Sequence, residues 1–509
     1  MALNYSTIEP ITTAIRADRQ LAKRHYGVHP YFTRRAPNVV RSYVEHFSRP
    51  GGRVLDPFGG SGVTAIEAFL SNRHGIHNDI NPLGNFIAQQ IADMSHGSTD
   101  YIRRGYDAID SQCGNVVRGI YAMSDTEVQR RLRRTRLPEN IELPKNSDAQ
   151  RFYDLFTPRQ LLALALLKEA IESLRDRAAT GQLLLAWSAT LAKLNRTFLS
   201  AKGRLESRGG SSIFSIYRYK VAKRPVELPP WETFTERLAN VINAKEEILR
   251  ELRYLELRGG FHGRFESYGK DVLDLPAVLE KADYIFTDPP YGGHIAYLDL
   301  STIWNHWLGF SVPAEIRQRE IIVGGEMGKS EEEYLSQLRK SIKVCVNLLK
   351  KNRWMSVVFQ HWNVAYFEAI LEAAEDSGAN LRSAVTQVGN TIWSMHKKKG
   401  RERILAGEMI LTFFNDGKRK GRAAKNHIDI ERLIDIALPA ALDSEGHLCG
   451  ELLFNRLIVE AWQRNALHAL RIARDDFLGL LERKGWRYDP AAHYWTGRRP
   501  ESTPAAKLW

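Results

Sequence analysis

Cysteine is scarce in this sequence: Cys113, Cys345 and Cys449 are the three among 509 residues, and they lie far apart. That spacing offers neither the close pairs of a zinc knuckle nor a disulfide framework, and it fits a reducing cytoplasm. No stretch approaches the ~18 uncharged apolar residues of a membrane span, so no membrane partner is expected. The opening residues, Met1 to Ser6, lack the basic-then-apolar order of a secretory leader, and a cytoplasmic chain is expected. Internal repeats and low-complexity tracts are also missing, which sets aside solenoids and long disordered segments. No metal site is expected.

What the chain does have is length, apolar content and positive charge. Hydrophobic residues make up 43% of it, enough for a sizeable core. The length of 509 residues exceeds one ordinary core and predicts a main domain with one or two further modules. Lys and Arg number 72 against 59 Asp and Glu, and the net charge of +13 favours an anionic partner such as nucleic acid.

Along the chain, apolar spacing predicts a helix over residues 39–47. The break Pro50-Gly51-Gly52 follows, then a short buried strand at 53–56. A glycine-rich turn, Phe58-Gly59-Gly60-Ser61-Gly62, leads into a helix over 63–70. A second strand at 75–78 ends on Asp79, and Asn81-Pro82 opens the next helix. Strand, turn, helix, strand is the start of a parallel α/β sheet. Residues 95–262 read as a mostly helical insertion, including 156–174 and 183–194. Sheet-like alternation returns with a strand at 264–268, a helix at 275–281 and a strand at 283–287. Residues 331–349 and 367–377 are predicted helices around a strand at 354–359. Residues 382–394 and 404–414 are read as a closing antiparallel pair joined by the basic turn 397–400. Beyond the charged linker at 415–422, the rest is predicted to be a small helical module.

Two places carry chemistry. A helix starting directly after a glycine-rich turn offers unpaired N–H groups and close access to the main chain, which suits a carboxylate or phosphate. Asp79, at the second strand's end, is placed to accept both hydroxyls of a ribose. By itself this pattern equally fits a dinucleotide fingerprint or a glycine turn needed only for packing. The second place is Asp288-Pro289-Pro290-Tyr291, at the end of the apolar strand Tyr284-Ile285-Phe286-Thr287. Two prolines stiffen the turn and remove two N–H donors, leaving neighbouring carbonyls free to accept from an amine. Asp288 can accept the amine's other hydrogen, and Tyr291 offers an aromatic face to a base taken out of its stack. Seen alone, the tetrapeptide is also an ordinary strand-ending turn.

Together, Asp56-Pro57-Phe58-Gly59-Gly60-Ser61-Gly62 and Asp288-Pro289-Pro290-Tyr291 resemble the motif pair of the DNA amino-methyltransferases: a Phe-x-Gly-x-Gly loop for S-adenosylmethionine and an (Asp/Asn/Ser)-Pro-Pro-(Tyr/Phe/Trp) catalytic loop. The resemblance implies an α/β, Rossmann-like, seven-stranded methyltransferase sheet and direct attack of an amine on the sulfonium methyl. It implies catalytic roles for Asp288, Pro289, Pro290 and Tyr291. It implies cofactor contacts at Tyr31 and Phe32, in the stretch His29-Pro30-Tyr31-Phe32-Thr33-Arg34, and at Asp56, Pro57, Phe58, Gly60, Gly62, Asp79 and Asp271. The order of motifs is similar to the subgroup that carries target recognition between them. The stretch Gly292 to Ser301, with Trp304 and Trp307, resembles predicted adenine-specific methylases, some of which carry a zinc ribbon whose cysteines are absent here. The resemblance covers about residues 25–92 and 264–415.

The expected division is therefore 1–94 (cofactor half), 95–262 (insertion, target recognition), 263–415 (catalytic half) and 426–509 (helical module). The expected partner is double-stranded DNA, with a cognate restriction or defence protein as a further candidate. Asp as the first residue of the tetrapeptide leans, by the resemblance, toward adenine N6. Cytosine N4, an RNA base methyltransferase and a non-catalytic nucleic-acid-binding subunit stay open, while a nicotinamide enzyme leaves the Pro-Pro-Tyr turn idle. Cytosine C5 chemistry is set aside because the cysteines follow Gln112, Val344 and Leu448, not proline. For the nucleic acid, the basic run with Arg130, Arg131, Arg133 and Arg134 is either a phosphate track or a solvated face. Tyr217, Arg218 and Tyr219 lie in an aromatic and basic stretch that reads as a groove surface or a half-buried strand. His361 and Trp362 are read as packing residues.

Overall fold

The computed structural model describes residues 5–18, 23–200, 209–222, 226–293, 295–387, 408–419, 426–490 and 494–497. The chain forms two compact units, residues 18–334 and residues 1–17 with 335–509.

In the first unit, strands β1 (Arg53–Asp56) and β2 (His74–Asn78) are joined by helix α2 (Val63–Leu70), with α1 (Pro37–Phe47) before them and α3 (Pro82–Ala92) after. The insertion follows, with helices Asp100–Ile109, Pro158–Glu172, Arg177–Thr190 and Pro230–Leu257 and a short hairpin, β3 (Phe198–Ser200) and β4 (Gly209–Ser211). Strands β5 (Arg264–Tyr268) and β6 (Ala282–Thr287) then return to the sheet. The order is β5-β2-β1-β6, every pair parallel. Strand β6 is buried along its whole length, as expected inside a sheet covered on both faces, whereas the edge strand β5 is polar and only partly buried. The expected helix at 275–281 is instead a 3-10 turn, Val272–Ala277, because Pro276 cannot extend an α-helical bond ladder.

Local caps explain where helices start. Asn81 accepts from the Leu83 N–H, and Pro82 sits at the first turn of α3, where its missing donor costs nothing. Thr157 and Gln160 form a reciprocal capping box on Pro158–Glu172. Helix α2 carries an unusual residue on its buried side: Glu67, whose side chain is fully buried. It is surrounded by Lys23 at 3.0 Å, Arg41 at 2.6 Å and the donating hydroxyl of Tyr26 at 2.9 Å. Arg41 also reaches Glu251 on the long helix Pro230–Leu257, at 2.7 Å. Lys245 of that helix is buried and donates to the carbonyls of Gln90 and Asp93, at 2.9 and 2.6 Å, closing the end of α3. The insertion's last helix is thus built into the sheet domain's own bonding.

The second unit holds β7 (Leu349–Phe359), β8 (Ala379–Thr386) and β9 (Met409–Asn415), with β9 antiparallel to both neighbours. The expected closing pair is present at 379–386 and 409–415, and the expected turn at 397–400 lies outside the described residues. Trp354 donates to the Tyr5 carbonyl at 2.9 Å, drawing the N-terminal residues into this unit. Helices Ile430–Ala437, Gly450–Gln463 and Arg474–Arg483 follow, with the hairpin β10 (Arg487–Asp489) and β11 (Tyr494–Thr496), which the sequence pattern did not announce. Trp362 stacks on Phe454 at 4.3 Å and His361 on Tyr366 at 4.1 Å, as packing residues do. The α/β, Rossmann-like class with its seven-stranded, mostly parallel sheet matches the expectation.

Candidate functional site

The glycine loop leaves β1 at Asp56 and enters α2 at Val63. Gly62 has φ of 92°, a left-handed conformation, and a Cβ there would lie 2.6 Å from that of Ala88 on α3. Gly84, on α3, approaches the loop from below: a Cβ on it would sit 2.4 Å from the Gly60 carbonyl oxygen. The loop is therefore a main-chain surface pressed against α3, open on its other side.

Asp79 closes the loop at the end of β2. Its carboxylate accepts from the Gly60 N–H at 2.7 Å and the Asn81 N–H at 2.8 Å. Burial pushes its pKa up to about 6, against the pull of those two N–H donors. Asp56, 4% exposed, is pushed up by burial to about 7 while accepting from Thr287 at 2.9 Å and the Phe58 N–H at 3.1 Å.

These residues open onto a cleft of about 900 Å³, a volume that includes space continuous with solvent. Of the sequence-predicted residues, Tyr31, Asp56, Pro57, Phe58, Gly60, Asp79, Asp271, Asp288 and Pro290 line it. Asp271 caps the turn Val272–Ala277 through the Leu273 N–H at 3.0 Å and faces Arg319 at 3.5 Å. Residues 56–61 and the pair Asp288 and Pro290, more than two hundred positions apart, thus share one space. Phe32, Gly62, Pro289 and Tyr291 are not among its lining residues. Phe32 packs instead against Tyr297, Phe214 and Trp304.

The Asp288 turn differs from expectation in one detail. Of its carbonyls, that of Pro290 already accepts from the Tyr334 hydroxyl at 2.6 Å, which takes one of its two acceptor positions. Sequence reasoning also missed Arg35. Its Nε donates to Asp288 Oδ2 at 2.6 Å, its Nη2 donates to the Tyr291 hydroxyl, and that hydroxyl donates to Asp288 Oδ1. Nothing local in the sequence marks this arginine, because its partner lies 253 positions away.

The expected nucleic-acid residues fall into three situations. Arg133 and Arg134 are exposed, whereas Arg130 and Arg131 pair with Glu127 at 2.5 and 2.7 Å. Arg218 is exposed and pairs with Asp148 at 2.6 Å; Tyr217 is half-buried with φ of 51°. Tyr219 is corrected: at 2% exposure its ring presents no face to a base. Its hydroxyl donates to the Leu300 carbonyl at 2.7 Å and accepts from the Ile303 N–H at 3.1 Å. The stretch 213–220 is not a strand: Ser212–Ser215 is a short helix, started by the Ser211 hydroxyl accepting from the Ile213 N–H, and residues 216–220 are turn and coil. Phe214 from this segment packs on Phe32 and Trp304, bringing the insertion to the rim of the site.

Two comparisons bear on this arrangement. Residues 12–89 match the N6_N4_Mtase family, described as DNA methylase, a span that contains Tyr31, Phe32, the glycine loop and Asp79. Over 371 residues the chain is 21% identical to the Type II methyltransferase M.MjaII of Methanocaldococcus jannaschii, a match covering 63% of this chain and 68% of that relative.

Proposed function

We propose, from the premise that this chain belongs to the DNA amino-methyltransferase family, that it methylates the N6 amine of adenine in double-stranded DNA with S-adenosylmethionine as donor. The observation that carries this reading is the shared cleft, in which the glycine loop and Asp288 face one volume. The residues present fit the donor: a main-chain loop with no room for a Cβ beneath it, and a buried carboxylate beside it at Asp79. When bound, S-adenosylmethionine supplies an electrophilic methyl on a sulfonium.

In this reading Tyr31, Phe32, Asp56, Pro57, Phe58, Gly60 and Gly62 shape and hold the donor site. Asp79 accepts from the ribose hydroxyls and Asp271 from the adenine amine. Asp288 accepts an N–H of the target amine, and Pro289 and Pro290 fix the turn around it. Tyr291 supplies the stacking face for an extruded base. Holding the amine in line with the methyl removes the need for a covalent enzyme intermediate. Residues 95–262 read the target sequence in this proposal, with Arg133 and Arg134 free to meet phosphates. A cognate restriction or defence protein in the cytoplasm is the proposed context.

Methylation-aware sequencing of DNA from cells expressing the chain is expected to show N6-methyladenine confined to one short sequence. N4-methylcytosine at such a sequence would overturn the base assignment, and unmodified DNA would overturn the function.

Asp79 ties the proposal to pH. Its pKa near 6 means that the carboxylate form, which accepts two hydroxyls, is present above that value and is lost as pH falls through it. Donor affinity is expected to be level above about pH 7 and to weaken several-fold by about pH 5. Asp79→Ala should weaken it about tenfold or more, the effect of losing a charge-assisted hydrogen bond of about 1.5–3 kcal/mol. Calorimetry across a pH series measures both, and a flat profile with unchanged affinity in the variant would place the ribose elsewhere.

A further inference from the structure

Residues 29–35 form a strap that touches both motif loops. Arg34 donates from Nε to the Ser61 hydroxyl in the glycine loop, at 3.0 Å, and from Nη2 to the His29 carbonyl within the strap. The next residue, Arg35, turns the other way and donates to Asp288 and Tyr291. Its side chain and that of Asp288 are 18% and 21% exposed, so the pair is largely shielded from water. Arg35, Asp288 and Tyr291 close a ring of three hydrogen bonds.

We infer that Arg35 is a positioning residue for Asp288, aiming its carboxylate at the target amine and tying that aim, through the strap, to the glycine loop. The inference rests on the proposed DNA amino-methyltransferase reading. Geometry permits it without displacement. An ionised carboxylate has about four acceptor positions, and Arg35 and Tyr291 take one on each oxygen, which leaves both oxygens able to accept an amine N–H. The planar guanidinium holds its two donors, one on Asp288 and one on the Tyr291 hydroxyl, in a fixed relation that a flexible lysine ammonium keeps less well. Arg35 itself need not touch the target.

The test uses the full chain, S-adenosylmethionine with a labelled methyl, and unmethylated genomic DNA. Arg35→Met is expected to lower the single-turnover transfer rate about 100-fold, the scale set by a misaimed reacting group, while the donor's dissociation constant and the half-saturating DNA concentration stay within about threefold. Arg35→Lys should recover about a tenth or more of wild-type rate. Because the two residues act as a unit, Arg35→Met combined with Asp288→Ala should be no slower than Asp288→Ala alone. Near-normal transfer in Arg35→Met overturns the inference, as does a loss confined to donor affinity or a full additional loss in the double variant. Wild-type protein that labels no DNA overturns the underlying reading and this role with it. An active wild type beside an unimpaired Arg35→Met overturns the role alone.

Discussion

Asp288→Ala is expected to reduce methyl transfer to DNA by at least about 10³-fold while the affinity for S-adenosylmethionine stays within about threefold. Removing one aimed polar partner at a reacting centre typically costs about 10²–10³ in rate. Here the loss is larger, since Asp288 is also the shared acceptor of Arg35 and Tyr291. Without it, the Arg35 guanidinium loses an ion-pair partner beside the position proposed for the attacking amine, and the Tyr291 hydroxyl loses an acceptor. The donor, in the proposed arrangement, rests on the glycine loop, Asp79 and Asp271, none of which bonds Asp288. Single-turnover transfer and calorimetry on the same preparation separate the two effects. Weakened donor binding together with normal transfer at saturating donor would remove Asp288 from the chemistry.

The second large effect is on stability. Glu67→Ala is expected to destabilise residues 18–334 by about 3–5 kcal/mol, the usual consequence of removing one member of a buried ion cluster and leaving its partners uncompensated. Burial alone would raise the pKa of Glu67, but Arg41, Lys23 and His25 together pull it below the ordinary value of 4.5. A depressed carboxylate stabilises the folded state fully above its unfolded value, and that contribution drains away as pH falls through the lower folded value. The difference between wild type and variant in urea unfolding should therefore be full near neutrality and shrink below about pH 4.5. A variant within about 1 kcal/mol of wild type at neutral pH would show that the cluster does not hold α2. Since α2 follows directly from the glycine loop, its displacement should be felt as weaker donor binding.

The parts of this molecule that the sequence makes legible are those determined locally. Strands β1 and β5 lie at the expected positions because glycine or proline interrupts the chain just before β1 and glycines flank β5, and α3 begins at Asn81-Pro82 because a cap and an N1 proline act over two residues. The two motif loops were readable for the same reason. The misjudged features depend on distant partners. Tyr219 looks like a base-stacking residue until its hydroxyl meets Leu300, 81 positions on. Arg35 looks like one more surface charge until β6 delivers Asp288 to it. Glu67 sits in a stretch that reads simply as helix, and only the fold shows that four neighbours converge on its carboxylate. Hairpin β10–β11 rests on strands of three residues, too short for any alternation to register.

The bonds from helix Pro230–Leu257 to the sheet domain also set where genetic exchange can cut this gene. A crossover pair at 95 and 262 would import a foreign helix while leaving behind Gln90 and Asp93, which accept from Lys245, and Arg41, which pairs with Glu251. Each hybrid would then lack a cap for α3 and a partner for a charge at the edge of the Glu67 cluster. Cutting just before Pro230 keeps both ends of every one of these bonds with the same parent. In a chimaera of two such genes, the helix Pro230–Leu257 is therefore expected to be exchanged together with the sheet.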